Sequence, residues 1–202
     1  MSTAFTTYWP MDYVSRIKKA GDVGSPLKVV FGGGHSSFPA PTIYGAKAGD
    51  VLFPITVTRK TLHIIGQLEI ESIIPIEQYL KDVLQLPEQL CRLNLFDLTQ
   101  QLETKQPELG HRAPHDCIYE AAMGNGSPIS ITCVVPPVLI DTVRLVNRKG
   151  ESRSIPYVSD GLVHKSFGLQ GHCYRLCDNT AALFSRLLVE AESRKSGEGG
   201  LC

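Results

Sequence analysis

The clearest β-sheet pattern in the chain lies in residues 47–73, which read KAGDVLFPITVTRKTLHIIGQLEIESI. Two apolar runs, at 51–57 and 61–65, flank the short basic turn Arg59-Lys60, and this arrangement predicts a β-hairpin. Residues 67–73 then alternate polar and apolar side chains, as a half-buried strand does. Gly66, directly before that strand, indicates a bulge or a barrel bend.

The sequence before this hairpin predicts short elements around a glycine-rich loop. Residues 7–9 are β-prone, residues 12–19 place apolar side chains on one side of a helix, and residues 27–31 predict a strand. The loop VFGGGHSSFP, residues 30–39, contains too many glycines and prolines for either regular structure. Two interpretations stay open, a loop that only needs positive φ angles or a loop that holds a ligand.

The sequence after the hairpin predicts a helical insert and then more strands. From Pro75 the apolar residues recur at helical spacing, which predicts an insert at about 75–103. Strands are expected near 129–135, 142–146 and 172–176, with Asn125-Gly126 as a tight turn. Asp178 can cap a C-terminal helix. We therefore expect one domain over residues 1–192, followed by a disordered tail at 193–202.

The order of features in residues 47–73 resembles the signature of the PUA-like superfamily, in particular its ASCH and EVE branches. There, a Gly-Asp turn precedes a barrel strand, as Gly49-Asp50 does here, and a later glycine precedes a strand with an acidic residue, as Gly66 precedes Glu69. The N-terminal TTYWPMDY also looks like the Tyr-Trp start of EVE domains. The resemblance implies an α+β protein built on a PUA-like β-barrel, elaborated here by the helical insert and the C-terminal helix.

The same resemblance implies a cleft that binds nucleic acid, a modified base or a nucleotide. Such ligands are held by aromatic stacking and by hydrogen bonds to base edges. The cleft is expected between the Trp9 segment, the glycine loop and the hairpin. The candidate ligand-binding residues are Trp9, Gly33, Gly34, His35, Ser36, Ser37, Arg59, Lys60 and Glu69.

Each candidate residue also has a purely structural interpretation. Trp9 can be a core residue, Arg59 and Lys60 can form a solvated turn, and Glu69 can simply face water. Alternatively, Arg59 and Lys60 would contact phosphates, and Glu69 would accept a hydrogen bond from a base or act as a general base.

Composition narrows the classes of function. The chain has 202 residues with 43% hydrophobic residues, enough for a substantial core. Its 20 basic residues balance its 20 acidic ones, so any nucleic-acid site must be a local patch. Neither a signal peptide nor a membrane span is evident, which predicts a cytoplasmic protein with its cysteines as thiols. No cofactor motif is present.

Two further classes of function stay open beside nucleic-acid or nucleotide binding. One is a small hydrolase acting on a modified nucleoside or related metabolite; Lys60, Thr61 and Glu69 match residue types of an ASCH-branch amidohydrolase, but their spacing does not. The other is a protein-interaction factor without a small ligand. A zinc site is a weaker alternative, because its candidate ligands have irregular spacing and no CxxC pair. Those ligands are His111, His115, Cys117, His172, Cys173 and Cys177.

Overall fold

Residues 51–64 form the hairpin that their sequence predicts. The computed structural model describes residues 2–33, 43–114, 119–147, 149–170 and 172–198. In it the strands Val51–Thr58 and Thr61–Ile64 flank Arg59 and Lys60, whose φ angles are 50° and 66°. Positive φ at both central positions is typical of a type I′ turn, whose twist matches that of the strands it joins.

Most strands of the described residues join one nine-stranded sheet, and two form a separate hairpin. They are β1 (Ala4–Tyr8), β2 (Val29–Gly32), β3 (Val51–Thr58), β4 (Thr61–Ile64), β5 (Leu68–Pro75), β6 (Glu120–Gly126), β7 (Arg144–Val146), β8 (Ser152–Ser154), β9 (Val158–Ser159), β10 (Leu162–Val163) and β11 (Cys173–Leu176). The sheet order is β2-β6-β5-β3-β1-β11-β7-β8, and β4 pairs with β3. Strand β3 is central because it pairs with β1 in parallel and with β4 and β5 antiparallel.

Helices occupy four parts of the described chain. They are α1 (Met11–Lys19), α2 (Ile76–Gln78) with a π-helical continuation (Tyr79–Val83), α3 (Glu88–Cys91), α4 (Leu95–Lys105) with a following 3₁₀ segment (Pro107–Arg112), α5 (Pro137–Ile140) and α6 (Asp178–Glu198). The helices between β5 and β6 lie where the sequence predicts the insert at about 75–103, and they continue to Arg112. Among the described residues, no helix combines the length and the apolar character needed to span a membrane.

Alternating side chains of the sheet are buried in different cores. Leu52 belongs to a cluster with Trp9, whereas its neighbour Phe53 packs in a cluster with Tyr174 and Phe184 of α6. A third cluster joins β2 and β6 to the insert. Helix α1 covers the Leu52 face of the sheet, because its buried residues belong to that cluster.

The mixed α+β class is confirmed, the PUA-like barrel stays a prediction, and the predicted turn at Asn125-Gly126 is wrong. Among the described residues the strand pairings do not close into a barrel. Opposite β3, the three residues 65–67 face the two residues Phe53 and Pro54, so Gly66 lies in a bulge as predicted, and a second register shift between β5 and β6 lies at Glu71. Asn125-Gly126 ends strand β6 instead of forming a tight turn, because both residues pair with β5.

The C-terminal helix extends beyond its predicted end. Helix α6 continues through residues 193–198, for which the sequence predicts a disordered tail; residues 199–202 lie outside the described part. Two side-chain contacts lie in its last turns. The Ser193 hydroxyl donates to the Val189 carbonyl, and Arg194 pairs with Glu190 at 3.7 Å.

Candidate functional site

The glycine loop falls only partly within the described residues. Gly33 is buried directly after β2. Gly34, His35, Ser36 and Ser37 lie outside the described residues, so their proposed contact with a ligand stays a prediction.

Trp9 is a core residue. Its side chain is 1% exposed, and its ring meets the Tyr13 ring edge-on at 4.8 Å between centroids. Its backbone N–H donates to the Ile55 carbonyl at 2.8 Å, which extends the β1–β3 pairing by one residue. This corrects the expectation that Trp9 lines a ligand cleft, because neither face of the ring is open to a base.

The remaining candidate residues lie at opposite ends of strand β3. Arg59 and Lys60 are exposed at its C-terminal end, whereas Glu69 on β5 pairs with Val51 at its N-terminal end. At about 3.3 Å per residue, the strand separates the two ends by roughly 23 Å. The structure therefore corrects the expectation that these residues line one cleft, and Lys60 and Glu69 cannot act on the same small substrate.

A different set of side chains forms an exposed surface beside the turn Arg59-Lys60. We call it the aromatic–basic surface and define it as the exposed residues Arg153, Tyr157, Lys165, Phe167 and His172, together with the buried Tyr174 ring that Arg153 and His172 contact. The rings of Tyr157 and Phe167, each residue 47% exposed, lie 4.5 Å apart at an angle of 47°. The Lys165 Nζ is 5.5 Å from the Tyr157 centroid and 5.8 Å from that of Phe167. These distances place the ammonium group within cation–π range of both rings.

The second half of the surface centres on Tyr174 of β11. The Arg153 Cζ lies 4.7 Å from the Tyr174 ring centroid, and the His172 ring lies 5.2 Å from it. Burial raises the pKa of Tyr174 and nearby Arg153 lowers it, with a net rise. The phenol is thus neutral near pH 7 and donates to the Gly168 carbonyl at 2.8 Å.

Backbone contacts join the two halves and hold the rings in place. Gly168 packs so closely that an added Cβ would lie 2.6 Å from Pro156 Cγ and 3.2 Å from a Tyr157 ring carbon. The Tyr157 carbonyl accepts from the His164 N–H at 2.8 Å, across the β9–β10 hairpin. These contacts pack the Tyr157 ring against the chain at Pro156 and Gly168 and fix the hairpin backbone that carries it.

The basic turn predicted from the sequence borders this surface. The Lys60 carbonyl accepts from the Val163 N–H at 2.8 Å, so the β3–β4 turn lies against β10. Asp160, at the tip of the β9–β10 hairpin, adds one acidic group nearby. The local balance is nevertheless positive, because Arg153 and Lys165 lie against the aromatic rings and Arg59 and Lys60 belong to the adjoining turn.

Sequence reasoning missed the aromatic part of this surface, although a signal was present. Residues 157–175 interleave Tyr157, Phe167 and Tyr174 with basic residues, a composition typical of single-strand nucleic-acid platforms. The pair Asp160-Gly161 also predicts the hairpin between them.

Asp22 and His111 form a buried pair that resembles an acid–base dyad. The His111 side chain contacts an Asp22 carboxylate oxygen through Nδ1, and its backbone N–H donates to the same oxygen at 2.6 Å. The other ring nitrogen, Nε2, accepts from the Lys28 backbone N–H at 3.0 Å. Because Nε2 is already bonded inside the protein, this imidazole cannot take a proton from a substrate, and its role is structural.

The pKa values of the pair agree with a carboxylate next to a neutral imidazole. Burial lowers the pKa of His111, and this effect outweighs the opposite effect of Asp22. Burial alone would raise the pKa of Asp22, but the hydrogen bonds from His111 and Ser25 produce a net decrease. The His111 ring therefore donates from Nδ1 and accepts at Nε2.

The zinc alternative gains no support from the described residues. Within residues 2–33, 43–114, 119–147, 149–170 and 172–198, no group of three or more His, Cys, Asp and Glu side chains could hold a metal ion. His111 is bonded to Asp22 and Lys28, and burial, mainly, raises the pKa of the Cys173 thiol to about 12, which disfavours the thiolate ligand. His115 and Cys117 lie outside the described residues.

Comparison with known protein families, curated proteins and solved structures gave no match for this chain.

Proposed function

We propose that this protein binds single-stranded nucleic acid through the aromatic–basic surface. The observation that carries the proposal is the exposed Tyr157–Phe167 pair with Lys165 above both rings. Every nucleobase has a π-face that can stack on such rings, and the neighbouring cations can contact the phosphates between bases. A surface that serves only as a solvated turn needs neither feature.

The arrangement favours single strands over duplexes. Bases of a duplex are stacked on one another, and phosphate contacts alone would then have to supply the affinity. The cationic groups here are few and stand next to rings, so unstacked bases gain more from this surface. We infer a preference for unpaired RNA or DNA with little sequence specificity, since stacking does not distinguish bases strongly.

The proposed relationship to the PUA-like superfamily is part of the same hypothesis. The resemblance of residues 47–73 supports the ligand class, because PUA-like domains bind RNA and modified bases. On this proposal the curved sheet around β3 is an elaborated form of the PUA-like barrel, with the ligand on the β9–β10 side instead of a cleft at Trp9.

Fluorescence anisotropy with short labelled poly-U and poly-dT strands tests the proposal. Stacking contributes about 1–3 kcal/mol per base by alanine substitution. The double variant Tyr157→Leu with Phe167→Leu should therefore bind at least about tenfold more weakly, although it keeps the apolar bulk. Phe96→Leu is the matched control, because Phe96 is 63% exposed on the insert, away from the surface.

Salt dependence separates phosphate contacts from stacking. For single strands, each neutralised phosphate contributes about 0.7 to the slope of log affinity against log salt concentration. Arg153→Gln and Lys165→Gln should each reduce the slope by about this amount, whereas the leucine double variant should leave it unchanged. If the unaltered protein binds neither strand, or Phe96→Leu weakens binding equally, the proposal fails and a protein partner becomes the better explanation for the exposed rings.

A further inference from the structure

A cleft of about 450 Å³ lies between helix α1 and the end of the helical insert. This volume is within the range of small-molecule sites in proteins. One wall is the solvent side of α1, where Asp12, Ser15, Arg16 and Lys19 follow helical spacing; the opposite wall includes Glu103 and Gln106. Apolar atoms of Tyr13, Pro107 and Ala113 complete the lining.

The insert wall is fixed in position by the buried Asp22–His111 pair. Gly110 adopts φ 54°, and an added Cβ there would lie 2.3 Å from an Asp22 carboxylate oxygen, so only glycine fits. The Tyr13 hydroxyl on the other wall donates to the His111 carbonyl at 2.9 Å. The two walls are thus bonded to each other at their base, and the cleft is preformed.

Some polar side chains of the cleft are already bonded to protein groups, and others are not. Arg16 forms an ion pair with Glu103, lies over the Tyr13 ring at 4.8 Å and donates to the Ala113 carbonyl, so its charge is already balanced. Within the described residues, the side chains of Ser15, Lys19 and Gln106 make no hydrogen bond or ion pair. An ammonium group, a hydroxyl and an amide therefore remain for a ligand.

We propose that this cleft binds one small organic anion, with a carboxylate or phosphate at Lys19 and an apolar body against Pro107 and Ala113. The Ser15 hydroxyl and the Gln106 amide supply further donors to the anionic group. The site is independent of the proposed nucleic-acid surface. Helix α1 packs on the Leu52 face of the sheet, whereas Tyr174 packs with Phe53 on the other face.

Three probes with the same ring system test the proposal: naphthyl phosphate, naphthoate and naphthol. Each is titrated into the isotope-labelled full chain while the backbone amide signals are followed by NMR. We expect saturable shifts in α1 and at residues 106–113. At least one charged probe should bind about threefold more tightly than neutral naphthol. An exposed ion pair with Lys19 contributes an energy of that size. The tighter of the two identifies the anionic group.

Adjacent lysines provide the matched variants. Lys19 lines the cleft, whereas Lys18 is exposed elsewhere on α1. Lys19→Gln should remove the preference for the charged probes, and Lys18→Gln should retain it. The proposal is overturned if naphthol binds as tightly as both anions, if the two variants behave alike, or if the shifts occur at residues 157–167 instead.

Discussion

Replacing Asp22 with alanine should destabilise the protein by about 4 kcal/mol. The carboxylate accepts three hydrogen bonds, from the Ser25 hydroxyl and from the backbone N–H and ring Nδ1 of His111. Because His111 is 2% exposed, water cannot replace the lost acceptor. Each buried donor left without a partner costs about 1–3 kcal/mol, and two such donors remain on His111.

A loss of this size is easily measured. At about 3 °C per kcal/mol for a chain of this length, the Tm should fall by roughly 12 °C. Thermal and urea unfolding, followed by circular dichroism at pH 7, give both quantities. Asp82→Ala is the control, because Asp82 is exposed on the insert and its replacement should change the free energy of unfolding by less than about 0.5 kcal/mol.

A double-mutant cycle sharpens the test. Ala at both Asp22 and His111 should cost less than the sum of the single changes, with a coupling of about 1–3 kcal/mol, because the ring donor disappears together with its acceptor. The reasoning is refuted if Asp22→Ala is as mild as Asp82→Ala, or if the two single effects simply add.

Three further predictions concern stability. The free energy of unfolding should decrease as pH falls from 7 to 5, because the folded state keeps the pKa of His111 low and the unfolded state binds more protons below about pH 6.5; urea titrations should show a smaller decrease in His111→Gln. Thr7→Val should raise the free energy of unfolding by about 1 kcal/mol, since the buried Thr7 hydroxyl has no hydrogen-bond partner among the described residues, while Thr6→Val should lower it because the Thr6 hydroxyl donates to a backbone carbonyl; equal signs in thermal unfolding would contradict this. Gly124→Ala should cost about 3 kcal/mol, as its Cβ would lie 1.8 Å from a backbone oxygen of β5, and Gly150→Ala, with no atom of the described residues within 4 Å, should cost about 1 kcal/mol from its positive φ alone; similar Tm values for the two variants would contradict this prediction.

Local patterns were sufficient for the hairpin and for helix α1. In both, residues close in sequence provide the contacts: the Arg59-Lys60 turn sets the register of β3 and β4, and apolar spacing buries one side of α1. The parallel pairing of β1 with β3 joins residues 47 positions apart, as the bond from Thr6 to the Phe53 carbonyl illustrates. No short-range pattern specifies such a partner.

Strand β6 shows how glycines inside a strand can be mistaken for a turn. Its sequence, EAAMGNG, has low β propensity and ends in a favoured turn pair. Tertiary packing nevertheless makes it a strand between β2 and β5, since Ala121 and Ala122 are fully buried and Gly124 allows the β5 bulge to approach closely. The glycines permit close backbone contact there, which a sequence pattern alone cannot distinguish from a turn.

The candidate surface was predictable in its charge but not in its geometry. Arg59 and Lys60 could be assigned to an exposed turn from the sequence. The Tyr157–Phe167 pair depends on the β9–β10 hairpin, which brings together rings that lie ten residues apart, and on Gly168, which lets the Tyr157 ring approach. For Trp9 the sequence left a core role and a stacking role open, and its burial against α1 decides for the core.

The net charge of zero conceals an uneven distribution that bears on the proposed function. Residues 144–176 contain six Lys and Arg against two acidic residues, whereas residues 76–112 of the insert contain six acidic residues against four basic ones. Beyond the Debye length of about 8 Å at physiological salt, the electrostatic field of these charges is largely screened. A single-stranded nucleic acid approaching from a distance is therefore only weakly attracted. Closer than one Debye length, the nucleic acid contacts the cations and rings of the aromatic–basic surface directly. Affinity should therefore depend on contacts made after encounter, and changes at Tyr157 or Phe167 should act mainly on the dissociation rate, with the association rate nearly unchanged.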